Sequence, residues 1–229
     1  MEKELVYFNK KYKSFRKNGY DILSNQVSNK TLYYLKKYTL ELKNRMISNP
    51  NFETETKLNG SGIFGRFHDM ASSSPLADDS ENQKLFDVYT SQLMYEICTL
   101  YLMTDEIYLF NDQVVVKLPS EDFSYESHRD NQFGPYPNRH DLKTLNCMLV
   151  LDDITDENGG FHIKNKNTRQ WDSVSLFEGD ILVMDGNTYH KSGNNKSDSS
   201  RRVYICHYSC ESIGKNFGKG YYHERFTTR

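Results

Sequence analysis

The sequence predicts a mainly β fold, with a jelly-roll core and helices packed against its outside. Helical patterns occupy about the first 105 residues, and short strand patterns separated by Gly, Pro and Asn turns follow them. A chain of 229 residues can bury one large core. We therefore expect a single domain over residues 1–229, with a helical part over about 1–105 and the jelly roll over about 106–210.

Helices are expected over residues 8–18, 29–48 and 81–102, with a short strand over 20–23. In the first helix, Phe8, Tyr12 and Phe15 recur at the spacing of one helix face, and Gly19 then ends it. The second helix begins after Ser28, a good N-cap residue. These patterns predict amphipathic helices that cover one side of the core.

Strand patterns then follow, over residues 107–118, 125–130, 145–151, 161–163, 174–177, 181–184 and 202–209. The first of them is expected to break at Asn111-Asp112. Two loops, residues 50–80 and 131–139, carry Gly or Pro and show no regular period. Long loops inside compact domains are usually functional, so we expect residues 55–80 and 131–140 to form lids over the site described below.

Composition argues against several classes of partner. A net charge of −2 and a pI near 6.4 predict neither nucleic acid nor an anionic membrane as a partner. No apolar run reaches the roughly 20 residues that span a bilayer, and the first residues lack the apolar core of a signal peptide. The four cysteines form no CxxC pair, which is typical of free thiols in a reducing compartment. We expect a cytoplasmic protein with a small-molecule substrate; the sequence indicates no oligomeric state.

Three side chains form a candidate metal site. His128 and Asp130 stand at i and i+2 of a predicted strand, so both would lie on one face of it. His190 follows the predicted strand 181–184, and the 60 residues after Asp130 leave room for intervening strands. Two imidazoles and one carboxylate are the ligand set of a non-haem Fe(II) site that keeps three coordination positions open. We therefore predict that these three side chains bind iron.

An arginine on an apolar strand face is the second candidate feature. Arg201 comes eleven residues after the distal histidine and shares its face with Val203, Ile205 and His207. A buried guanidinium is costly unless an anion meets it. A dicarboxylate would suit its planar, two-pronged geometry. The neighbouring Arg202 points to the opposite face, which we expect to be tolerant of water.

These residues together resemble the phytanoyl-CoA dioxygenase family of Fe(II)/2-oxoglutarate oxygenases. The segments that carry the resemblance are His128–Asp130, Asp156–Gly160, the strand after Glu178–Asp180, and His190–Ser197 leading to Arg201. The resemblance implies a double-stranded β-helix with Fe(II) and 2-oxoglutarate as cofactors and O2 as co-substrate. It implies iron ligation by the His-Asp-His set, a bond from Arg201 to the distal carboxylate of 2-oxoglutarate, and assistance from Ser192. The chain departs from the family at Lys164–Asn167, where members often have Pro-Gly-Ser-His.

Further residues are candidates for binding. Co-substrate contacts are expected from Lys117, Thr144 and Asn146, and substrate contacts from Tyr125, Arg139, His140 and Arg66. Simpler interpretations stand beside these. Lys117 would extend to solvent from an edge strand, the polar face of Thr144 and Asn146 would be solvated, and Tyr125 would be a core residue.

The expected reaction is hydroxylation of a small polar metabolite, amino-acid-like or another biosynthetic intermediate, with release of succinate and CO2. One alternative keeps the iron site and changes the outcome to desaturation, cyclisation or epimerisation. A second alternative is a cupin-like binding or isomerase protein without redox chemistry. The intact ligand set together with Arg201 counts against that last class.

Overall fold

A computed structural model of the chain describes residues 2–48, 63–65, 87–120, 122–132, 141–212 and 226. The helices are α1 (Glu2–Asn18), α2 (Asn29–Ser48) and α3 (Gln92–Leu102). The strands are β1 (Tyr20–Leu23), β2 (Ile63–Gly65), β3 (Tyr108–Lys117), β4 (Tyr125–His128), β5 (Thr144–Val150), β6 (His162–Lys164), β7 (Trp171–Ser173), β8 (Ile181–Asp185), β9 (His190–Ser192) and β10 (Arg201–Ser209).

The described strands form two antiparallel sheets. The larger sheet has the order β1-β8-β5-β10-β3-β2, and the smaller has the order β4-β9-β6-β7. Several neighbours in the sheets, such as β1 and β8 or β4 and β9, are distant in the chain, so segments far apart in sequence meet across the fold. The predicted mainly β architecture, with helices outside it, is confirmed.

Two hydrophobic cores lie on opposite faces of the larger sheet, because side chains alternate along each strand. One core, here called the lumen, lies between the two sheets and includes Val115, Met148, Phe161, Ile163, Leu182 and Val203. The other lies between the larger sheet and the helices and includes Leu35, Ile97, Cys147, Val183, Tyr204 and Tyr208. Because both faces of the sheet are covered, all seven residues of β5 are buried.

The first two helices follow the predicted signals closely. α1 ends before Gly19, whose φ of +91° favours glycine. A Cβ at that position would lie only 2.7 Å from Thr188 Oγ1, so the end of α1 approaches the β8–β9 turn closely. The Ser28 hydroxyl accepts the backbone N–H of Thr31 at 3.1 Å, as expected of an N-cap.

The predicted third helix and first long strand differ from the structure. Residues 87–89 are helical, but Ser91 is extended (φ −66°, ψ 153°) and caps a new helix, α3, so one helix does not run through it. β3 is continuous, and the expected break is a bulge where its register against β10 shifts between His207 and Tyr208. β2 lies inside the predicted loop 50–80 and pairs with β3.

Several predicted positions lie outside the described residues. They are Arg66, Arg139 and His140, residues 81–86 of the predicted third helix, and most of the two predicted lids. Those predictions stand as they were stated.

The expectation that the Arg202 face of β10, which includes Tyr204 and Tyr208, tolerates water is wrong. Both are fully buried beneath the helices. The hydroxyl of Tyr204 donates to Asp112 Oδ2 at 2.7 Å, and that of Tyr208 donates to the carbonyl of Tyr89 at 2.7 Å. Burial raises the pKa of both phenols, so both stay neutral donors. The face of β10 opposite the lumen therefore belongs to the second core. The sequence does not show this, because a tyrosine hydroxyl is compatible with both a solvated and a buried position.

Two further findings concern the chain as a whole. Cys98, Cys147, Cys206 and Cys210 are free thiols, as predicted. Among the described residues, no helix combines the length and the apolar character that crossing a membrane would require.

We expect Tyr204→Phe to lower the free energy of unfolding by about 1–3 kcal/mol, because the buried Asp112 carboxylate would lose a donor. Urea denaturation followed by circular dichroism measures this. The matched control is Tyr33→Phe, since Tyr33 is 73% exposed and should tolerate the change. Equal losses in the two variants would contradict the role given to the Tyr204 hydroxyl.

Candidate metal centre

The structure brings His128, Asp130 and His190 together at one place in the lumen. β4 and β9 pair antiparallel with His128 directly opposite His190, and the two imidazole rings lie 4.3 Å apart between centroids. His190 Nε2 is 3.7 Å from Asp130 Oδ1. One donor atom from each of the three residues lies within 4.8 Å of the others, so the group could hold a metal ion.

The predicted backbone for this site is wrong at Asp130. β4 ends at His128, and Asp130 opens a 3-10 turn, Asp130–Gln132. The turn has its own bonds: Gln132 N–H donates to the Arg129 carbonyl at 3.1 Å, and Asn131 N–H donates to the Gly186 carbonyl at 3.0 Å. A turn, rather than the alternation of a strand, therefore brings the carboxylate beside the histidine.

Each histidine is oriented by a carbonyl two residues before it. His128 Nδ1 lies 2.6 Å from the Glu126 carbonyl, and His190 Nδ1 lies 3.1 Å from the Thr188 carbonyl. A carbonyl only accepts, so Nδ1 carries a proton in both rings, and the neutral form of each ring has its lone pair on Nε2. Phe161 stacks on the His190 ring with centroids 5.6 Å apart and packs its other side in the lumen.

The electrostatics of the cluster favour the protonation states that bind metals. Burial opposes ionisation of Asp130, but His190 and the hydrogen bond from the Asn146 amide act the other way and hold its pKa below the ordinary value. Burial lowers the pKa of His190; His128 acts in the same direction and Asp130 against it. A carboxylate and a neutral imidazole result, and a metal ligand must be deprotonated in this way.

Two buried cations lie side by side in the lumen. Arg201 on β10 is the register partner of Lys117 on β3, and the two are 2% and 0% exposed. Lys117 Nζ donates to the carbonyls of Phe123 at 2.8 Å and Gly193 at 2.6 Å, so the alternative in which it extends to solvent is wrong. This end of the lumen therefore carries a concentrated positive charge.

Arg201 is the less satisfied of the two cations. Its Nη1 donates to the Gly160 carbonyl at 3.1 Å, while its buried Nε has no hydrogen-bond partner among the described residues. No carboxylate of the described part of the chain lies within ion-pair distance of its guanidinium. Burial lowers its pKa to about 10, which leaves it charged at neutral pH. A buried guanidinium in this state is suited to an incoming anion.

Ser192 and Tyr125 complete this part of the lumen from the smaller sheet. They are register partners in the β9–β4 pair, as are His190 and His128. Ser192 is buried, and Lys117 Nζ lies 5.1 Å from the centroid of the Tyr125 ring. Tyr125 thus lies beside the cationic pair.

Thr144 and Asn146 face the lumen, so the alternative of a solvated face is wrong. Both side chains are buried. Thr144 Oγ1 donates to Asn131 Oδ1 at 2.6 Å, and Asn146 Nδ2 donates to Asp130 Oδ2 at 2.8 Å. The bonds of both side chains within the described residues therefore support the turn that carries the metal-site carboxylate.

Sequence reasoning missed three contributors to the site. Phe161 follows the Gly-Gly turn 159–160, and nothing in its spacing singles it out as a neighbour of His190. Asn131 and Gly186 lock the 3-10 turn to the end of β8. Only the last had a usable signal: a glycine directly after an apolar strand often marks a close approach of two backbones.

The residues present fit a metal ion and a dicarboxylic co-substrate. Two imidazoles and a carboxylate form a donor set of the kind that binds Fe(II) and leaves positions open. The buried nitrogen of Arg201 that lacks a partner fits one carboxylate of a second ligand.

Comparisons with known proteins agree with this geometry. The family model described as phytanoyl-CoA dioxygenase (PhyH) matches residues 15–203. No curated protein matches the chain by sequence.

Solved structures share the fold at low sequence identity. The epimerase SnoN, crystallised with Fe3+, alpha ketoglutarate and nogalamycin RO, is 14% identical with a TM-score of 0.70, covering 94% of this chain and 92% of SnoN. The alpha ketoglutarate-dependent carbocyclase SnoK from nogalamycin biosynthesis is 13% identical with a TM-score of 0.70, covering 89% and 84%. EctD from S. alaskensis, crystallised with 2-oxoglutarate and 5-hydroxyectoine, is 15% identical with a TM-score of 0.66, covering 87% and 75%. These likenesses confirm the predicted jelly-roll fold.

We predict that His128→Ala, Asp130→Ala and His190→Ala each abolish tight binding of Mn(II), because each removes one of the three donors. Electron paramagnetic resonance of free Mn(II) during titration measures the affinity, and thermal unfolding checks that each variant is folded. The control is His162→Ala, since His162 pairs with Lys191 on β9, and its neighbour Ile163 pairs with the ligand histidine. Unchanged Mn(II) affinity in any one of the three variants would remove that residue from the site.

Proposed function

The chain belongs to the phytanoyl-CoA dioxygenase family and is an Fe(II)/2-oxoglutarate-dependent oxygenase, and we propose that it hydroxylates a small polar metabolite. The reaction consumes O2 and 2-oxoglutarate and releases succinate and CO2, with one oxygen atom entering the substrate. The non-redox alternative does not agree with membership of this family. The observation that carries the proposal is the convergence of two imidazoles and a carboxylate beside a buried, incompletely paired arginine.

His128, Asp130 and His190 are proposed as the residues that would hold the iron. When bound, Fe(II) would activate O2 for reaction with the 2-oxo acid. Side chains cannot supply this chemistry, which belongs to the cofactor. The chain orients the three donors: two carbonyls fix the imidazole tautomers, and Asn146 holds the carboxylate. Phe161 stacks on the His190 ring and supports its orientation.

Arg201 is proposed as the partner of the distal carboxylate of 2-oxoglutarate. Ser192 and Lys117 would assist it: Ser192 lies buried two residues beyond His190, and Lys117 is the register partner of Arg201. Tyr125 lies between the cationic pair and His128, with its ring 6.2 Å from the imidazole. An aromatic residue in this position fits packing against the carbon chain of the co-substrate.

A small polar substrate suits the surroundings of the metal ligands. The described side chains next to the ligands include the polar groups of Asn146 and His207. Arg139, His140 and Arg66 remain proposed substrate contacts, in line with the expectation that residues 55–80 and 131–140 cover the site. The single-domain organisation over residues 1–229 also remains part of the proposal.

Epimerisation and ring closure form the second candidate outcome. SnoN and SnoK are named for these reactions, and their likeness to this chain favours retaining both. All of these outcomes, and desaturation, begin with removal of a hydrogen atom from the substrate. They differ in product composition, so mass spectrometry separates them: hydroxylation adds one oxygen, desaturation and ring closure remove two hydrogens, and epimerisation leaves the mass unchanged.

The proposed function is tested by titrating the anaerobic Fe(II)·2-oxoglutarate protein with a library of polar metabolites. The expected result is a compound that perturbs the metal-to-ligand charge-transfer band and, after O2 is admitted, yields a product with one added oxygen and an equivalent of succinate. A product of unchanged mass, or one short of two hydrogens, would select the second candidate instead. Absence of the charge-transfer band would refute the proposed iron and co-substrate site.

We expect Arg201→Ala to weaken 2-oxoglutarate binding by about 10- to 150-fold, the loss of one charge-assisted pair, with Mn(II) affinity little changed. Anaerobic titration of the charge-transfer band measures the dissociation constant. Arg202→Ala is the matched control, because Arg202 pairs with Asp152 on the opposite face through two bonds of 2.7 Å. If Arg202→Ala weakened 2-oxoglutarate binding and Arg201→Ala did not, the co-substrate would lie on the opposite face of β10 and the proposal would be wrong.

A further inference from the structure

The two oxygens of Asp130 have different surroundings. Oδ1 lies in the metal cluster, 3.7 Å from His190 Nε2. Oδ2 accepts a hydrogen bond from Asn146 Nδ2 at 2.8 Å and lies 3.7 Å from His207 Nε2. Asn146 therefore holds the carboxylate at Oδ2, and Oδ1 faces the metal cluster.

The Asn146 amide is held between Asp130 and His207. Asn146 Nδ2 lies 2.8 Å from Asp130 Oδ2 and also 3.3 Å from His207 Nε2. A carboxylate only accepts, so the amide turns its nitrogen to Asp130, and His207 Nε2 then accepts the second amide hydrogen. If the amide turned over, its oxygen would face both the carboxylate and that ring nitrogen. His207 thereby favours the orientation in which nitrogen meets Asp130.

This arrangement leaves Asn146 poorly suited to contact the co-substrate. Both amide hydrogens are directed at Asp130 and His207, and the remaining Oδ1 is an acceptor that cannot bond a carboxylate. The co-substrate role expected from the sequence therefore does not agree with the contacts of this side chain.

The backbone that follows Asp130 is fixed from the same direction. Asn131 N–H donates to the Gly186 carbonyl at 3.0 Å, and Asn131 Oδ1 accepts from Thr144 Oγ1 at 2.6 Å. A Cβ at Gly186 would lie 1.9 Å from Thr144 Oγ1, so this contact leaves no space for a side chain. The polar face of β5 thus holds the turn through Thr144 and the carboxylate through Asn146.

We propose that Asn146, oriented by His207, is a positioning residue that holds Oδ2 of Asp130 and thereby aims Oδ1 at the metal. The inference rests on the proposed metal site and concerns how the chain presents its one carboxylate ligand. Contacts of this kind orient ligands and raise metal affinity. A carboxylate bound through one oxygen also keeps open the positions that the 2-oxo acid and O2 need.

The test measures Mn(II) affinity without 2-oxoglutarate, so it needs no turnover. Asn146→Ala should weaken Mn(II) binding by about 10- to 100-fold. The matched control is Asn165→Ala, because Asn165 Nδ2 makes the same bond to a carboxylate, Asp172 Oδ2, at 2.8 Å on the smaller sheet. The control should lose thermal stability without loss of Mn(II) affinity, which separates positioning from a general effect on folding.

A second pair of variants tests the role of His207. His207→Leu removes the acceptor for the Asn146 amide and should weaken Mn(II) binding, whereas His207→Gln keeps an acceptor and should restore much of it. This pair decides the matter if Asn146→Ala does not fold. Wild-type Mn(II) affinity in Asn146→Ala with weakened 2-oxoglutarate binding would overturn the inference and return Asn146 to the co-substrate. Failure of the wild-type protein to bind Mn(II) would instead overturn the proposed function itself.

Discussion

The pairing of β4 with β9 is the constraint on which the rest of the site depends. It places His128 opposite His190, although 62 positions separate them in the chain. It also places Tyr125 opposite Ser192 on the same face of the smaller sheet. Because the ladder is short, its register is supported from outside it: Thr188 Oγ1 donates to the Gly19 carbonyl, so the end of α1 holds the start of β9. Through this bond the helical part of the chain contributes to the geometry of the metal site.

Alternation along β10 divides the roles of its residues between two environments. Arg201 and His207 face the lumen, where one would meet an anion and the other orients an amide. Arg202 and Tyr204 face the helices, where their polar groups bind Asp152 and Asp112. A shift of register by one residue would exchange these environments and place the Arg202 guanidinium in the lumen. The two buried tyrosine hydroxyls, each with a fixed partner, make that slip costly.

Helix ends and the facing of strand residues depend on local sequence patterns and could be predicted. Structure that depends on contacts between distant segments could not. The Ser28 cap and the inward side of Arg201 follow from local rules and were correct. The 3-10 turn at Asp130 was missed because its bonds reach Gly186, which no local pattern links to it. The burial of Tyr204 was missed because a tyrosine suits both water and a core with a partner. For Asn146 the sequence left an inward and a solvated face open, and its partner depended on that same turn.

The buried charges of the lumen connect the fold to its proposed ligands. Asp130 is stabilised by nearby imidazoles and an amide, and Lys117 by two carbonyls, so both are largely compensated within the chain. Among the residues that the structure describes, Arg201 is compensated by one carbonyl. A buried charge with few partners lowers the stability of the folded state, and a ligand that binds only the folded chain offsets that loss by mass action. The folded chain therefore keeps an incompletely paired guanidinium at Arg201. The carboxylate of the co-substrate would pair with it and remove this cost. On this argument the metal end of the lumen is organised by the protein itself, and the Arg201 end is completed by the co-substrate.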